Sequence, residues 1–282
     1  MPLTPLRSDK TFDFYGRFIL RVLFGLVACL VMSIVGSNSA SAAWVYNANS
    51  AFVTHESGGS QVAAFSNFKA GHGTILNGAP VLGSFVQFAD TDHTDAWLSP
   101  VNTALQGWSK NNASGSIPAI VVNTSNGPVS ATADIALDPS QILMHAGGIA
   151  GTGNVGPLAD AVLRFTTTNA GVYKITGAWE ALDANYTSGH ALKYILKNGV
   201  DTIYTSTLDN PSINLSGIVL ATNDTIDFVV SMPGGNFYGS TGLTATLEGV
   251  AAVPEPTTLV LFGLAGIGLT GIAKRRRARK VA

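Results

Sequence analysis

The densest polar cluster in the chain is Asp90-Thr-Asp92-His93-Thr-Asp95. Carboxylates alternating along a short segment can bring their oxygens together around a hard cation. Asp90, Asp92 and Asp95 are therefore candidate calcium ligands. The segment lacks the glycine and the distal glutamate of an EF-hand loop. One loop also supplies too few oxygens, so Asp134 or Asp138 would have to approach. A solvated turn, with Asp side chains capping the backbone, accounts for the same composition. No other cofactor is expected.

Aromatic residues in polar loops suggest a second chemistry. Rings cover the apolar faces of sugars, and amides and carboxylates fix the hydroxyls. Trp97, Trp108, Trp179, Tyr186, Phe237 and Tyr238 are the available rings. Trp179 alternates with apolar residues, which favours the core. Asp183-Ala-Asn185-Tyr186-Thr-Ser-Gly189 and Gly234-Gly-Asn236-Phe237-Tyr238-Gly239 have loop compositions that keep their rings outside. Asn185, Tyr186, Asn236, Phe237 and Tyr238 are the expected glycan-binding residues.

Catalytic patterns are weak. Hydrolysis of a glycoside needs two carboxylates facing across a cleft, and Glu180 with Asp183, or Asp224 with Asp227, are the pairs near strands. None of the five histidines forms His-x-x-x-His or His-Glu-x-x-His. His145, beside Gly147-Gly148, is expected to be a structural or surface histidine, with a place at a loop end near a site as the alternative. The chain has no Gly-x-Ser-x-Gly and no P-loop. The expectation is a protein that is not an enzyme.

The elements that would position these loops read as strands. Ala161 to Thr168, Val172 to Trp179, His190 to Leu196, Val200 to Leu208, Ile213 to Leu220, Thr225 to Val230 and Thr241 to Val250 are rich in β-formers with period-two alternation. Tyr173, Ile175 and Trp179 share a face, as do Ile226, Phe228 and Val230, and Leu243, Ala245 and Leu247. Leu192, Tyr194 and Leu196 share another, with Lys193 and Lys197 opposite. Asn198-Gly199 signals a tight hairpin. The reading is mainly β: an antiparallel β-sandwich of jelly-roll order over residues 43–250. Residues 43–130 are interrupted by Gly, Asn and Ser and are expected to join the same sandwich, with Ser99 to Ser109 as a short helix or a loop.

Both ends differ from this body. Arg7, Lys10, Arg17 and Arg21 precede an apolar run from Val22 to Gly36 and an Ala40-Ser41-Ala42 site. That is the layout of a signal peptide over residues 1–42, cleaved after Ala42. Cys29, the single cysteine, lies in this run, so the mature body has no disulfide. At the other end, Val253-Pro254-Glu255-Pro256 precedes an apolar run over 257–273, about 25 Å long as a helix, at the short end for a membrane span. Lys274, Arg275, Arg276, Arg277, Arg279 and Lys280 follow and would stay on the cytoplasmic side. The body keeps six basic and fourteen acidic residues, a net charge of −8. It has no basic patch, which argues against nucleic-acid binding.

The tail over 253–282 closely resembles the PEP-CTERM sorting signal. The resemblance implies that an exosortase, a membrane transpeptidase-like protease, reads Pro254, Glu255 and Pro256, and that the tail is then removed. It also implies a Gram-negative bacterium that makes exopolysaccharide, export through the Sec translocon and the inner membrane, and a final place at the cell surface or outside. A weaker resemblance covers roughly residues 110–249. Pro118-Ala-Ile-Val-Val-Asn123, Met144-His-Ala-Gly147, Ala161-Val-Leu-Arg-Phe-Thr166, Ala170 to Gly177, Lys197-Asn-Gly199, Asn223 to Val230 and Ser240 to Leu247 look like an exported bacterial β-sandwich module similar to carbohydrate-binding modules. That pattern has Trp where this chain has Phe165, and Asp where it has Gly239. The combined expectation is a surface or biofilm-matrix protein whose body binds exopolysaccharide. The alternatives are a self-associating matrix protein bridged by calcium and a carbohydrate-active enzyme.

Overall fold

The computed structural model describes residues 43–53, 67–75, 81–89, 93–94, 104–109, 118–131, 135–139, 141–147, 159–183, 191–232 and 239–251. All of them belong to one compact unit, Ala42–Ala252. The expected signal and membrane helices fall outside the described residues. No described helix is long and apolar enough to cross a membrane.

In chain order the elements begin with β1 (Ala43–Asn47), α1 (Ala48–Val53), β2 (Phe68–Ile75), β3 (Leu82–Gln87), β4 (His93–Thr94), β5 (Leu105–Ser109) and β6 (Ala119–Asn123). They continue with β7 (Val129–Ser130), β8 (Ala136–Leu137), β9 (Ile142–His145), β10 (Asp160–Thr166) and β11 (Gly171–Ala181). The last five are β12 (Leu192–Lys197), β13 (Asp201–Ser206), β14 (Ser212–Leu220), β15 (Thr225–Ser231) and β16 (Thr241–Ala251).

Two antiparallel sheets form the body. The eight-stranded sheet has the order β14-β11-β16-β9-β6-β5-β4, with β1 also on β16. The six-stranded sheet has the order β13-β12-β15-β10-β2-β3. The strands from β9 onward supply β9-β16-β11-β14 to one sheet and β10-β15-β12-β13 to the other, which is the strand order of an eight-stranded jelly roll. The N-terminal half joins the same sandwich, as expected, by extending both sheets.

β16 is the spine of the larger sheet. β11 pairs with it throughout, from Gly171↔Ala251 to Ala181↔Thr241. β9 and β1 divide its other edge: Met144↔Thr241 at one end, and Ala43↔Val250 at the other.

The inward faces make the main core. Ile120, Met144, Tyr173, Ile175, Trp179, Leu243, Ala245 and Leu247 meet Phe68, Leu163, Phe165, Ile195, Ile226, Phe228 and Val230. Trp179 is core, as the alternation predicted. Phe165 packs tilted against Tyr46, Phe68 and Tyr173 at centroid distances of 4.9, 5.2 and 6.3 Å, so Phe fills its place in the core. Tyr173 also pins the Asn169-Ala-Gly171 turn, donating its hydroxyl to the Asn169 carbonyl at 2.7 Å.

Two expectations need correction. Ser99 to Ser109 does not read out as a helix or loop throughout: Leu105–Ser109 is a strand between β4 and β6, and Trp108 is buried rather than available to a sugar. The hairpin after Asn198-Gly199 returns as Asp201–Ser206, shorter than Val200 to Leu208. Its turn is nonetheless the expected one, with φ of 53° and 70° at Asn198 and Gly199 and a Val200 amide bond to the Lys197 carbonyl. Lys193 lies on the same face as core Ile195 and is 1% exposed. It donates to the Leu208 carbonyl at 2.6 Å, and burial pushes its pKa down against the opposing charge of Asp209. Lys193 thus stands opposite Tyr194 and Leu196, as the alternation has it, and both faces of this sheet are covered: Leu82 and Phe85 pack over Leu196 and Tyr194 on the outside.

Candidate functional site

The two expected glycan loops begin and end side by side. Residues 184–190 connect β11 to β12, and residues 233–238 connect β15 to β16. In the larger sheet their roots pair as Ala181↔Thr241. In the smaller sheet they pair as Leu192↔Ser231. The Leu182 amide donates to the Ser240 carbonyl at 3.0 Å, and the Ser240 amide to Asp183 Oδ2 at 2.8 Å. Jelly-roll connectivity thus brings the roots of both loops to the same end of the sandwich. Asn185, Tyr186, Asn236, Phe237 and Tyr238 themselves lie outside the described residues.

A third connection, 148–158, springs from the same end, where the Gly147 amide donates to the Ala159 carbonyl at 2.6 Å. His145 stands at its root. It is buried, with Nδ1 2.8 Å from the Ala146 carbonyl. Burial pushes its pKa down, and the Ala146 carbonyl and the Asp183 carboxylate oppose that shift. Gly239, where the module pattern has Asp, faces the Met232 side chain. A Cβ there would come within 2.9 Å of it, so the larger residue has no ready space.

The carboxylates near the strands are engaged in the fold. Glu180 accepts from Gln141 Nε2 at 2.6 Å, and Asp183 holds Ser240. Asp224 closes its own turn by accepting the Ala221 amide at 2.9 Å. Asp227 is completely buried and takes a bidentate pair of bonds from Arg164, at 2.6 and 2.9 Å, beneath the ring of Phe85. Burial pushes the Asp227 carboxyl up, and Arg164 pulls it back.

Sequence reasoning missed an open cleft of about 460 Å³, of mixed polar and apolar lining, on the outer face of the larger sheet. Asn47, Asn49, Ser50, Thr176, Gly177, Thr244 and Thr246 line it, with Pro139 at its border. Asn47 builds one wall. Its Oδ1 accepts the Asn49 and Ser50 amides at 2.9 and 3.0 Å, which caps α1, and its Nδ2 donates to Thr246 Oγ1 at 3.4 Å. Asn49 reaches the Leu243 carbonyl at 3.3 Å. The floor dips at Gly177, where a Cβ would overlap the Thr244 carbonyl oxygen. Amides and hydroxyls form the polar lining, a set suited to hydrogen-bonding neutral hydroxyl groups. The outward Thr244 and Thr246 were legible from alternation. Their meeting with Asn47, 199 residues away, was not.

Among the described residues, no group of three His, Cys, Asp or Glu side chains could hold a metal. Asp90, Asp92 and Asp95 lie outside them. The backbone of His93–Thr94 within that cluster forms the edge strand β4, paired to Trp108 and Gly107. The signal cleavage residues Ala40 and Ala42, the motif Pro254, Glu255 and Pro256, and the basic end also fall outside the described residues. The body hands over to the tail at Ala251, the last residue of β16.

No curated protein matches the chain. Among solved structures, a crystal structure of pika GITRL is 19% identical over 33% of this chain and 79% of that chain, with a TM-score of 0.24. The Podospora anserina GH26-CBM35 β-(1,4)-mannanase is 12% identical over 47% of this chain and 29% of that chain, with a TM-score of 0.23. At these scores neither likeness carries an argument about fold or ligand. Residues 252–277, directly after β16, match the PEP-CTERM protein-sorting motif, so the chain carries an exosortase sorting signal.

Proposed function

We propose that the chain is an exported, non-enzymatic surface or matrix protein, processed by an exosortase, whose body binds a neutral, hydroxyl-rich exopolysaccharide. A signal peptide over residues 1–42 delivers it through the Sec translocon, and residues 257–273 hold it in the inner membrane until the tail is cut. The sorting motif at 252–277 supports the export half of this reading. The observation that carries the binding half is the shared root of the two aromatic loops, where Leu182 and Asp183 are bonded to Ser240. Two ring-bearing loops on adjacent roots can cover both ends of a sugar unit. The amide and hydroxyl cleft on the outer sheet face offers a second place for hydroxyls.

Pulldown of the full chain on host exopolysaccharide, with and without a chelator, tests the binding reading. Chelator-resistant retention that falls at least tenfold in Tyr186→Ala and Phe237→Ala supports it. Equal retention of all three proteins sinks it. A second reading rests on the sequence, in which Asp90, Asp92 and Asp95 flank His93–Thr94, the edge strand β4. Calcium there would bridge copies of the chain along an open edge. Calcium-dependent oligomers lost on changing Asp92 to Asn would favour that reading.

A further inference from the structure

The far end of the larger sheet, opposite the loops, carries an open apolar face. Val219 of β14, Val172 of β11, Val250 of β16 and Ala43 of β1 form one row across four strands. All point outward, because Tyr173, Gly249 and Ile218 alternate with them on the core side. Val45 adds to the row two residues along β1. Val45, Val219 and Val250 are 65%, 63% and 42% exposed. Single exposed valines are ordinary, but a contiguous row is the mark of an interaction surface.

The length of chain beyond this row says what reaches it. Ala251 is still paired to Gly171, and Pro254 is only three residues further on. Three extended residues reach at most about 11 Å. An enzyme that grips Pro254-Glu255-Pro256 in extended form therefore works against the sheet end, or must first peel β16 away from β1 and β11.

We propose that the Val45, Val172, Val219 and Val250 face is the body's docking surface for the exosortase, so that the enzyme reads the folded sheet end together with the motif. This rests on the exosortase-processing reading. An apolar face suits a partner whose outer rim adjoins the membrane; in the next row the charged Lys174 and Glu248 bound it, while Val45 extends it along β1.

The test uses the full chain in a host that carries the exosortase, following tail loss by mass. Val45→Lys with Val219→Lys changes two exposed side chains and should leave the melting temperature unchanged. Tail loss is expected to slow at least tenfold. Ten Gly/Ser residues inserted between Ala252 and Val253 should abolish the difference, leaving doubly substituted and unsubstituted chains processed within twofold of each other. A photo-crosslinking residue at Val219 should give an adduct that disappears in an exosortase-deficient strain. Unchanged processing of the double variant overturns the docking face, as does an adduct formed only with lipid or with a second copy of the chain. If the native chain and a chain with Pro254, Glu255 and Pro256 changed to Ala both keep their tails, the sorting reading falls as well. If only the face variant behaves like the native chain, the docking proposal alone falls.

Discussion

Asn198, in the turn between β12 and β13, is hydrogen-bonded to Asp224, in the turn between β14 and β15, at 3.1 Å. Its Oδ1 accepts the Thr225 amide at 2.8 Å, and its own amide donates to the Thr225 carbonyl at 2.9 Å. Lys197 adds a contact to Asp224 at 3.8 Å and a bond to the Val219 carbonyl at 2.8 Å. The β12–β13 hairpin turn of the smaller sheet is thereby fastened to the β14–β15 connection that crosses between the sheets. Asn198→Ala loses these side-chain bonds and strains a position at φ of 53°. It is expected to cost about 1–2 kcal/mol in thermal or denaturant unfolding. Asn198→Gly keeps the turn and should cost less.

The same knot sets an acid response. The Ala221 amide, then Asn198 and Lys197, hold the Asp224 carboxyl below its ordinary value of 3.8. A carboxylate depressed in the folded state contributes stability above its unfolded pKa and loses it as pH falls through the folded one. Asp224→Asn should remove that part of the slope below about pH 4. An NMR titration should place the Asp224 midpoint under that of a free aspartate.

His145 responds at milder acidity. Its folded pKa is lowered from 6.5 by burial, so the unfolded chain takes up a proton that the folded chain resists. Stability should fall as pH drops below about 6.5 and level off only below the folded pKa. Urea unfolding across this range should lose that slope in His145→Gln. An unchanged slope would show that another group governs it.

Breaking the Arg164–Asp227 pair should be severe, because Asp227 has no contact with solvent. Arg164→Met leaves that buried carboxyl without its partner and is expected to cost about 3 kcal/mol. Changing both partners, Arg164→Met with Asp227→Leu, should cost much less than the sum of the two single changes. Denaturant melts of all four proteins form the cycle that checks it.

Asn47→Ala should cost about 1 kcal/mol through loss of the α1 cap and open one wall of the outer cleft. Thr244→Val gives up the bond its Oγ1 accepts from the Ala178 amide at 3.2 Å and should cost about 1 kcal/mol or less. If the cleft holds polysaccharide hydroxyls, both variants weaken retention on the polymer while the loop residues remain intact. Retention equal to the native chain would confine binding to the loops.

The second half of the body was legible because β11 and β16 alternate one face toward the core, because β10 and β15 are runs rich in β-formers, and because Asn198-Gly199 permits few turns. The failures share a cause. β6 is buried along its whole length, and most of β5 is too, with the β7–β8 ladder and its neighbours covering the outer side. Strands covered on both faces lose the alternation that identifies them, which is why Leu105–Ser109 passed for a helix or loop. The glycan loops were named from composition, and their adjacency came only with the sheet order. The cleft was invisible because Asn47 and Thr246 come from opposite ends of the body.

β16 has a further consequence, in the timing of synthesis. It is the last strand made, and β11, β9 and β1 all wait for it. In order of synthesis, the chain can form β10, β12, β13 and β15 as a layer before Thr241 appears. The first described strand of the body then closes on the last, Ala43 on Val250, just as the sorting motif is made. Completion of the sandwich and presentation of the motif thus coincide, so a chain truncated before Thr241 would arrive with three strands lacking their common partner and no tail for sorting.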